Sequence, residues 1–145
     1  MTRPIYETDT DRVEQWLAVV PLSVLTGTVA VEMPPLAPWD FEMTRNGSAV
    51  ALVEVRCRSN ARAKYETFMC AARKLVKLQA AANARRIASI MLVRWSDAVG
   101  FVKLNAIDLA TFGRAVGGRV DRNDPLDIEP VSHIPIDMFT LMSRL

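Results

Sequence analysis

A chain of 145 residues, half of them hydrophobic and 23% charged, is long enough for one domain with a real core and too apolar for global disorder. No apolar run reaches the roughly eighteen residues of a membrane span, Met1 to Glu7 lacks a signal peptide's apolar stretch, and two cysteines with one histidine make neither a zinc site nor a disulfide framework, so a reduced, cytoplasmic protein with no membrane partner is expected. The net charge of +2 hides an asymmetry: Arg45 to Arg94 holds eleven basic and two acidic residues, a local charge of +9, which suggests a face built for polyanions.

Thr8 followed three residues later by Asp11 reads as a helix-opening capping pair. Val13, Trp16, Leu17 and Val20 then recur at helical spacing as the stripe expected to be buried. Glu7, Asp11 and Glu14 lie on an adjacent stripe, where acids favour a helix N-terminus through its dipole. Pro21 is expected to end this helix. Val24 to Glu32, rich in β-branched residues, reads as a strand, and Met33 to Pro38, with three prolines, as a loop.

Trp39 to Arg58 reads as two strands joined at Asn46-Gly47, the dipeptide best suited to the positive φ angles of a tight hairpin. Alternation places Trp39, Phe41 and Met43 on one face of the first strand and Asp40 and Glu42 on the other. The second strand divides in the same way, with Ala51, Val53, Val55 and Cys57 opposite Leu52, Glu54, Arg56 and Arg58. Asp40 and Glu54 thus fall on neighbouring strands, where their carboxylates can converge. Paired carboxylates call for a cation, and Mg²⁺ is held by one or two carboxylates with water and phosphate oxygens. The plainer reading of the same residues is a solvated face with Glu54 paired to Arg56 or Arg58.

Ser59-Asn60 can cap a helix over 61–83, with Tyr65, Phe68, Met69, Ala72, Leu75, Leu78 and Ala82 as its apolar stripe. Arg62, Arg73, Lys77 and Lys74 would lie on its polar flanks, nearly all of one sign. Like charges at this spacing weaken a helix slightly, and a bound polyanion would relieve them. Ile87 to Trp95 is an apolar run fit for a buried strand parallel to its neighbour after a helical crossover. Ser96 to Gly100 turns the chain into an edge strand, Phe101 to Leu104. Asp121 to Pro135, with four acids and three prolines, reads as irregular, and His133 within it as a surface or satisfied structural histidine. Residues 1–145 are expected to form a single domain, an α/β (α+β) unit of order αβββαβ with a mixed central sheet flanked by helices and 105–145 as an irregular C-terminal wrap.

Asp40, thirteen intervening residues, then Glu54-Val55-Arg56 resembles the motif of the PD-(D/E)XK nucleases, with Arg56 where the family normally has lysine. The wording from Trp39-Asp40 to Val53 through Ser59 is similar to small nuclease-like proteins of bacteriophages and prophages, and the likeness continues through Tyr65 to Lys77, Ile90 to Asp97 and Asp124 to Pro135. The resemblance implies a restriction-endonuclease-like core and a phage-type DNA endonuclease dependent on Mg²⁺ or Mn²⁺, acting in the cytoplasm of a bacterial host. Asp40 and Glu54 would hold the metal, joined by Glu14 from the first helix and the backbone carbonyl of Val55. Lys74 matches a lysine of the phage-type relatives, and with Arg56 would contact the scissile phosphate. Arg58, Arg62, Arg73 and Lys77 would track the nucleic-acid backbone. Many relatives pair up to cut both strands, which makes a homodimer the candidate assembly. Guanidinium stays protonated at working pH, so Arg56 can stabilise charge but cannot serve as a general base. That departure keeps two alternatives open: an impaired nuclease-fold protein that binds nucleic acid or a protein partner without cutting, and a structural phage protein whose basic face packs on a partner.

Overall fold

The computed structural model describes residues 9–105, 107, 114–117 and 129–144. Helix α1 (Asp9–Thr26) is followed by strand β1 (Val29–Glu32), the hairpin β2 (Phe41–Arg45) and β3 (Ser48–Cys57), strand β4 (Thr67–Ala71), helix α2 (Ala72–Ala84) and strand β5 (Ala88–Arg94). Strands β6 (Ala98–Lys103), β7 (Arg114–Gly117), β8 (Glu129–Pro135) and β9 (Thr140–Arg144) complete the described elements.

Six strands form a mixed sheet in the order β1-β2-β3-β5-β6-β9, with β3 and β5 parallel and the other pairs antiparallel. The α2 crossover permits the parallel pair. Side chains of β3 divide strictly between two cores. Ala51, Val53 and Val55 pack with Ala18, Val19 and Leu22 of α1, whereas Leu52 packs with Leu75 and Leu78 of α2. The two helices therefore cover opposite faces, and Glu54 and Arg56 point to the α2 side by parity. A second sheet, β4-β8-β7, borders that same core through Phe68, Cys70 and Ile134.

Asn46 and Gly47 adopt φ of 53° and 80°, as the hairpin reading requires. Several boundaries differ from expectation. Pro21 lies inside α1, and the stop signal is Gly27, at φ +64°, with the Thr28 N–H bonded to the Ser23 carbonyl at 3.0 Å. That left-handed closure satisfies a terminal carbonyl, and Arg45 donates to the Thr26 carbonyl at 2.7 Å. The first three residues of Val24 to Glu32 are consequently helix, and the strand is only its last four. Buried Ala18, Val19 and Leu22 hold α1 on both sides of the proline, while Val13, Leu17 and Val20 are exposed. The buried stripe is thus rotated from the one expected.

The helix expected over 61–83 is three elements: a 3-10 turn at Arg62–Lys64, β4, and α2. Tyr65 to Met69 is aromatic and β-branched, and pairing with β8 outweighs its helical periodicity. Part of the wrap expected to be irregular is likewise ordered, because Glu129–Pro135 forms β8 and Thr140–Arg144 forms β9. Pro130 pairs with Val116 and Pro135 with Thr67, so both prolines sit near the ends of β8, where a missing donor is best tolerated. β9 covers β6, which is therefore internal to the sheet. Thr8, Glu7 and most of 105–128 lie outside the described residues.

Candidate active site

Asp40 immediately precedes β2 and is held by its backbone, its N–H on the Val53 carbonyl at 3.0 Å and its carbonyl accepting from Met33 at 2.9 Å. Its carboxylate Oδ2 accepts the Val55 N–H at 2.8 Å. Glu54 stands on the central strand, 4% exposed, between β2 and β5. A carboxylate buried to this degree needs a counter-charge. The Arg56 guanidinium supplies it through a close ion pair with Glu54 Oε1, and Lys74 Nζ, reaching over from α2, is 3.9 Å from the same oxygen.

One nitrogen, Arg56 Nη1, meets three oxygens. Besides Glu54 Oε1 it donates to the Val55 carbonyl at 2.8 Å and lies 3.8 Å from Asp40 Oδ2. Burial by itself would lower the pKa of Arg56, but the negative charge of Glu54 and, less strongly, that of Asp40 outweighs it and the pKa is raised. The guanidinium is therefore a permanent cation. Cys70 on β4 belongs to the α2-side core, and burial pushes its thiol pKa up despite the opposing pull of Arg56. It is a neutral thiol at physiological pH.

Two carboxylates and a carbonyl are hard oxygen donors, the set that Mg²⁺ and Mn²⁺ prefer. Among the described residues no group of three or more His, Cys, Asp or Glu side chains comes together, so an ion here would complete its shell with water and phosphate oxygens, as Mg²⁺ usually does. The donor set fits. Arg56 Nη1 lies among these three oxygens.

The structure brings Asp40, Glu54, Val55, Arg56 and Lys74 together. Glu14 is elsewhere: it lines a cavity of about 380 Å³ beyond the ends of β3 and β5, with Cys57, Arg58, Arg94 and Ser96. Burial, and then the charge of Glu14, raises the pKa of the Cys57 thiol. Arg58 is partly committed, its guanidinium 4.7 Å above the Phe68 ring and donating to the Met69 carbonyl at 3.1 Å. Arg62 lies in the 3-10 turn, not on α2, with its N–H on Asp97 Oδ1 at 2.9 Å. Arg73 and Lys77 are on α2 and exposed. His133 is half-buried, its Nδ1 3.3 Å from the Thr67 hydroxyl, as a satisfied structural histidine should be. The place of Cys70 was not visible in the residue pattern, because Cys70 carries no motif and β4 forms by pairing with the distant β8.

The family described as "phage putative PDDEXK endonuclease" matches residues 1–142 of the chain. The chain belongs to this family. Nucleases of the PD-(D/E)XK superfamily generally use divalent metals. Among solved structures the chain is similar to Hjc of Archaeoglobus fulgidus, a Holliday junction resolvase from an archaeal hyperthermophile, with a TM-score of 0.56, 12% identity, and coverage of 89% of this chain and 92% of that one. At that identity the likeness is one of fold, and it is the restriction-endonuclease-like fold. No curated protein matches the chain. No helix among the described residues is long and apolar enough to cross a membrane.

Proposed function

We propose that this member of the family is a divalent-metal-dependent DNA endonuclease that hydrolyses phosphodiester bonds at Asp40 and Glu54. The observation that carries this reading is the convergence of Asp40, Glu54 and the Val55 carbonyl on one cationic atom. Those three groups would hold Mg²⁺ or Mn²⁺, which supplies a bound water of lowered pKa and polarises the phosphoryl oxygen. To open the oxygens, Arg56 must swing away. Its guanidinium then meets the phosphate, where planar paired donors suit the non-bridging oxygens. Lys74 stays beside Glu54 and places a second positive charge where negative charge develops. Water oxygen bonds to phosphorus and gives up a proton to solvent as the bond to the leaving oxygen breaks, and that oxygen takes a proton back from solvent. Exposed Arg73 and Lys77 extend the positive surface along α2 for the strand, while Arg58 and Arg62, held by protein contacts, contribute fixed charge.

Two copies cutting opposite strands is the assembly the reading favours. Val13, Leu17, Val20 and Val24 recur at alternating four- and three-residue spacing along α1, all exposed, the pattern of a helix-pairing seam. An Leu17→Asp variant that stays as large in sedimentation as the parent would remove that interface.

The alternative, binding without cutting, draws on the same guanidinium: a cation fixed among the carboxylates that cannot act as a base. Titration of Mg²⁺ or Mn²⁺ against nicked, linear and branched DNA separates the two. Cutting is expected to depend on metal and to fall below detection in Asp40→Ala and Glu54→Ala. Loss of one acid–base group typically costs about a hundredfold to ten-thousandfold, so Arg56→Lys is expected to gain rate. Metal-independent cutting, or cutting that survives both alanine variants, would remove the proposed site.

A further inference from the structure

A second cavity, of about 400 Å³, lies at Arg58 just past the end of β3, and the cleavage chemistry does not use it. It is walled by Tyr65, Phe68, Trp95 and Ile136, with Arg58 and Arg62 among its polar residues and no carboxylate in its lining. We infer that it receives an unstacked nucleobase of a DNA strand whose phosphate lies at Asp40 and Glu54, so that the protein selects DNA with unpaired nucleotides. The inference rests on the nuclease reading for its orientation and on the cavity itself for its ligand.

Three observations converge. Position comes first: Arg58, which lines the cavity, follows the end of β3 two residues beyond Arg56, about 6.6 Å along an extended chain, so the cavity lies within a few nucleotides' reach of the carboxylates. Chemistry is second. Single-stranded nucleic acid is held by aromatic faces and arginine planes on which bases stack, set in a positive groove. Tyr65 and Met69 at the cavity are exposed although large and apolar, 57% and 44%, and Lys64 Nζ lies 5.4 Å from the Tyr65 ring centroid. Arg58 over Phe68 offers a guanidinium plane already supported from beneath. The third is an unused donor. Arg62 gives its Nη2 to the Ile136 carbonyl at 3.3 Å, but its Nε–H is buried and without a hydrogen-bond partner. Buried donors are nearly always paired, and base edges and phosphates are rich in acceptors. A duplex keeps its bases stacked and cannot fill the cavity. A branch, flap or gap can.

The test is an abasic scan of a short single-stranded oligodeoxynucleotide bound to the full chain in EDTA, with an RNA oligonucleotide of the same sequence as a parallel arm. One abasic position is expected to weaken binding about tenfold, the usual scale for one stacked base, and the other positions to change it little. Tyr65→Ala should erase that position dependence. Tyr65→Phe, which keeps the ring, should retain it. Tyr65 is exposed, so neither variant threatens folding. A flat scan in the parent chain, no oligonucleotide binding, or a Tyr65→Ala profile identical to the parent's would each overturn the cavity assignment, and a dependence seen only with RNA would overturn its assignment to DNA. Because binding is read without metal, a positive scan beside absent cleavage would sink the nuclease reading alone, and a flat scan beside metal-dependent cleavage would sink the base cavity alone.

Discussion

Two arginine–glutamate pairs on the same face of the sheet follow opposite logic. Arg85, just past α2, grips Glu42 with both forks, Nη1 to Oε2 at 3.1 Å and Nη2 to Oε1 at 3.3 Å, and the Trp39 indole N–H donates to Oε2 at 3.0 Å. One carboxylate meets one guanidinium, near solvent, with Arg85 43% exposed. At Glu54 the ratio is inverted, with two carboxylates and a carbonyl crowded on one nitrogen of Arg56 and Glu54 itself buried. The Glu42 pair is complete as it stands. The Glu54 cluster gathers three oxygens on one guanidinium nitrogen, and that surplus of acceptors is what the proposed metal site would draw on.

Stability measurements should show the largest contrast. Glu54→Ala takes the buried carboxylate from a half-buried Arg56; breaking a fully buried pair typically costs about 3–5 kcal/mol, the upper bound here, since Asp40 stays 3.8 Å from the guanidinium. Glu42→Ala should cost no more than about 1 kcal/mol, the scale of exposed pairs. Urea denaturation of both variants measures the difference. Removing both partners at the buried site, as Glu54→Leu with Arg56→Met, should recover much of the loss, because packed apolar groups can replace a buried ion pair. If Glu54→Ala is as mild as Glu42→Ala, the buried cluster is not electrostatically strained and the contrast fails.

Metal affinity gives the next largest effect and sharpens the contrast. If Arg56 occupies the cation's place, removing it should raise Mn²⁺ affinity about tenfold, since the apparent affinity of a site falls with the fraction of time it is open. Titration calorimetry, or the loss of the free Mn²⁺ resonance signal, reads this without cleavage. Arg85→Ala should leave Mn²⁺ binding unchanged. Equal or weaker binding by Arg56→Ala would mean that the guanidinium assists the ion rather than competing with it.

Much of this arrangement was legible in the residues. Alternation in Asp40 to Arg58 placed Glu54 and Arg56 on one face, Asn46-Gly47 located the turn, and the apolar run before Trp95 identified β5. Those features are local. What failed was tertiary. Pro21 is a strong helix breaker on its own, yet burial of Ala18, Val19 and Leu22 carries α1 past it to Gly27. Tyr65 to Met69 has helical spacing and strand chemistry at once, and only pairing with β8, more than sixty residues along the chain, decides for a strand. Trp39 leaves the face of Phe41 because β2 begins only at Phe41, so strand alternation does not reach back to it, and it packs with the α2 side. Glu14 was assigned to the metal through the resemblance and lies instead at the cavity beside Cys57, since α1 occupies the face of β3 opposite Glu54.

Acid unfolding offers the smallest effect and the sharpest sign. The hydrogen bond from Arg85 lowers the pKa of Glu42 from its ordinary 4.5, against an opposing push from burial and with help from Trp39. A carboxylate with a depressed folded-state pKa stabilises the fold fully above its unfolded value and loses that contribution as pH falls through the lower folded value. The melting temperatures of the parent and Arg85→Ala should therefore differ most above pH 4.5 and converge below it, with a gap worth about 0.2–1 kcal/mol once solvent screening is counted. Arg56 has no such window, because its raised pKa keeps it charged across any pH the fold survives. A gap between parent and Arg85→Ala that widens in acid would show that Glu42 is held by something other than Arg85, and the distinction between the two pairs would have to rest on burial alone.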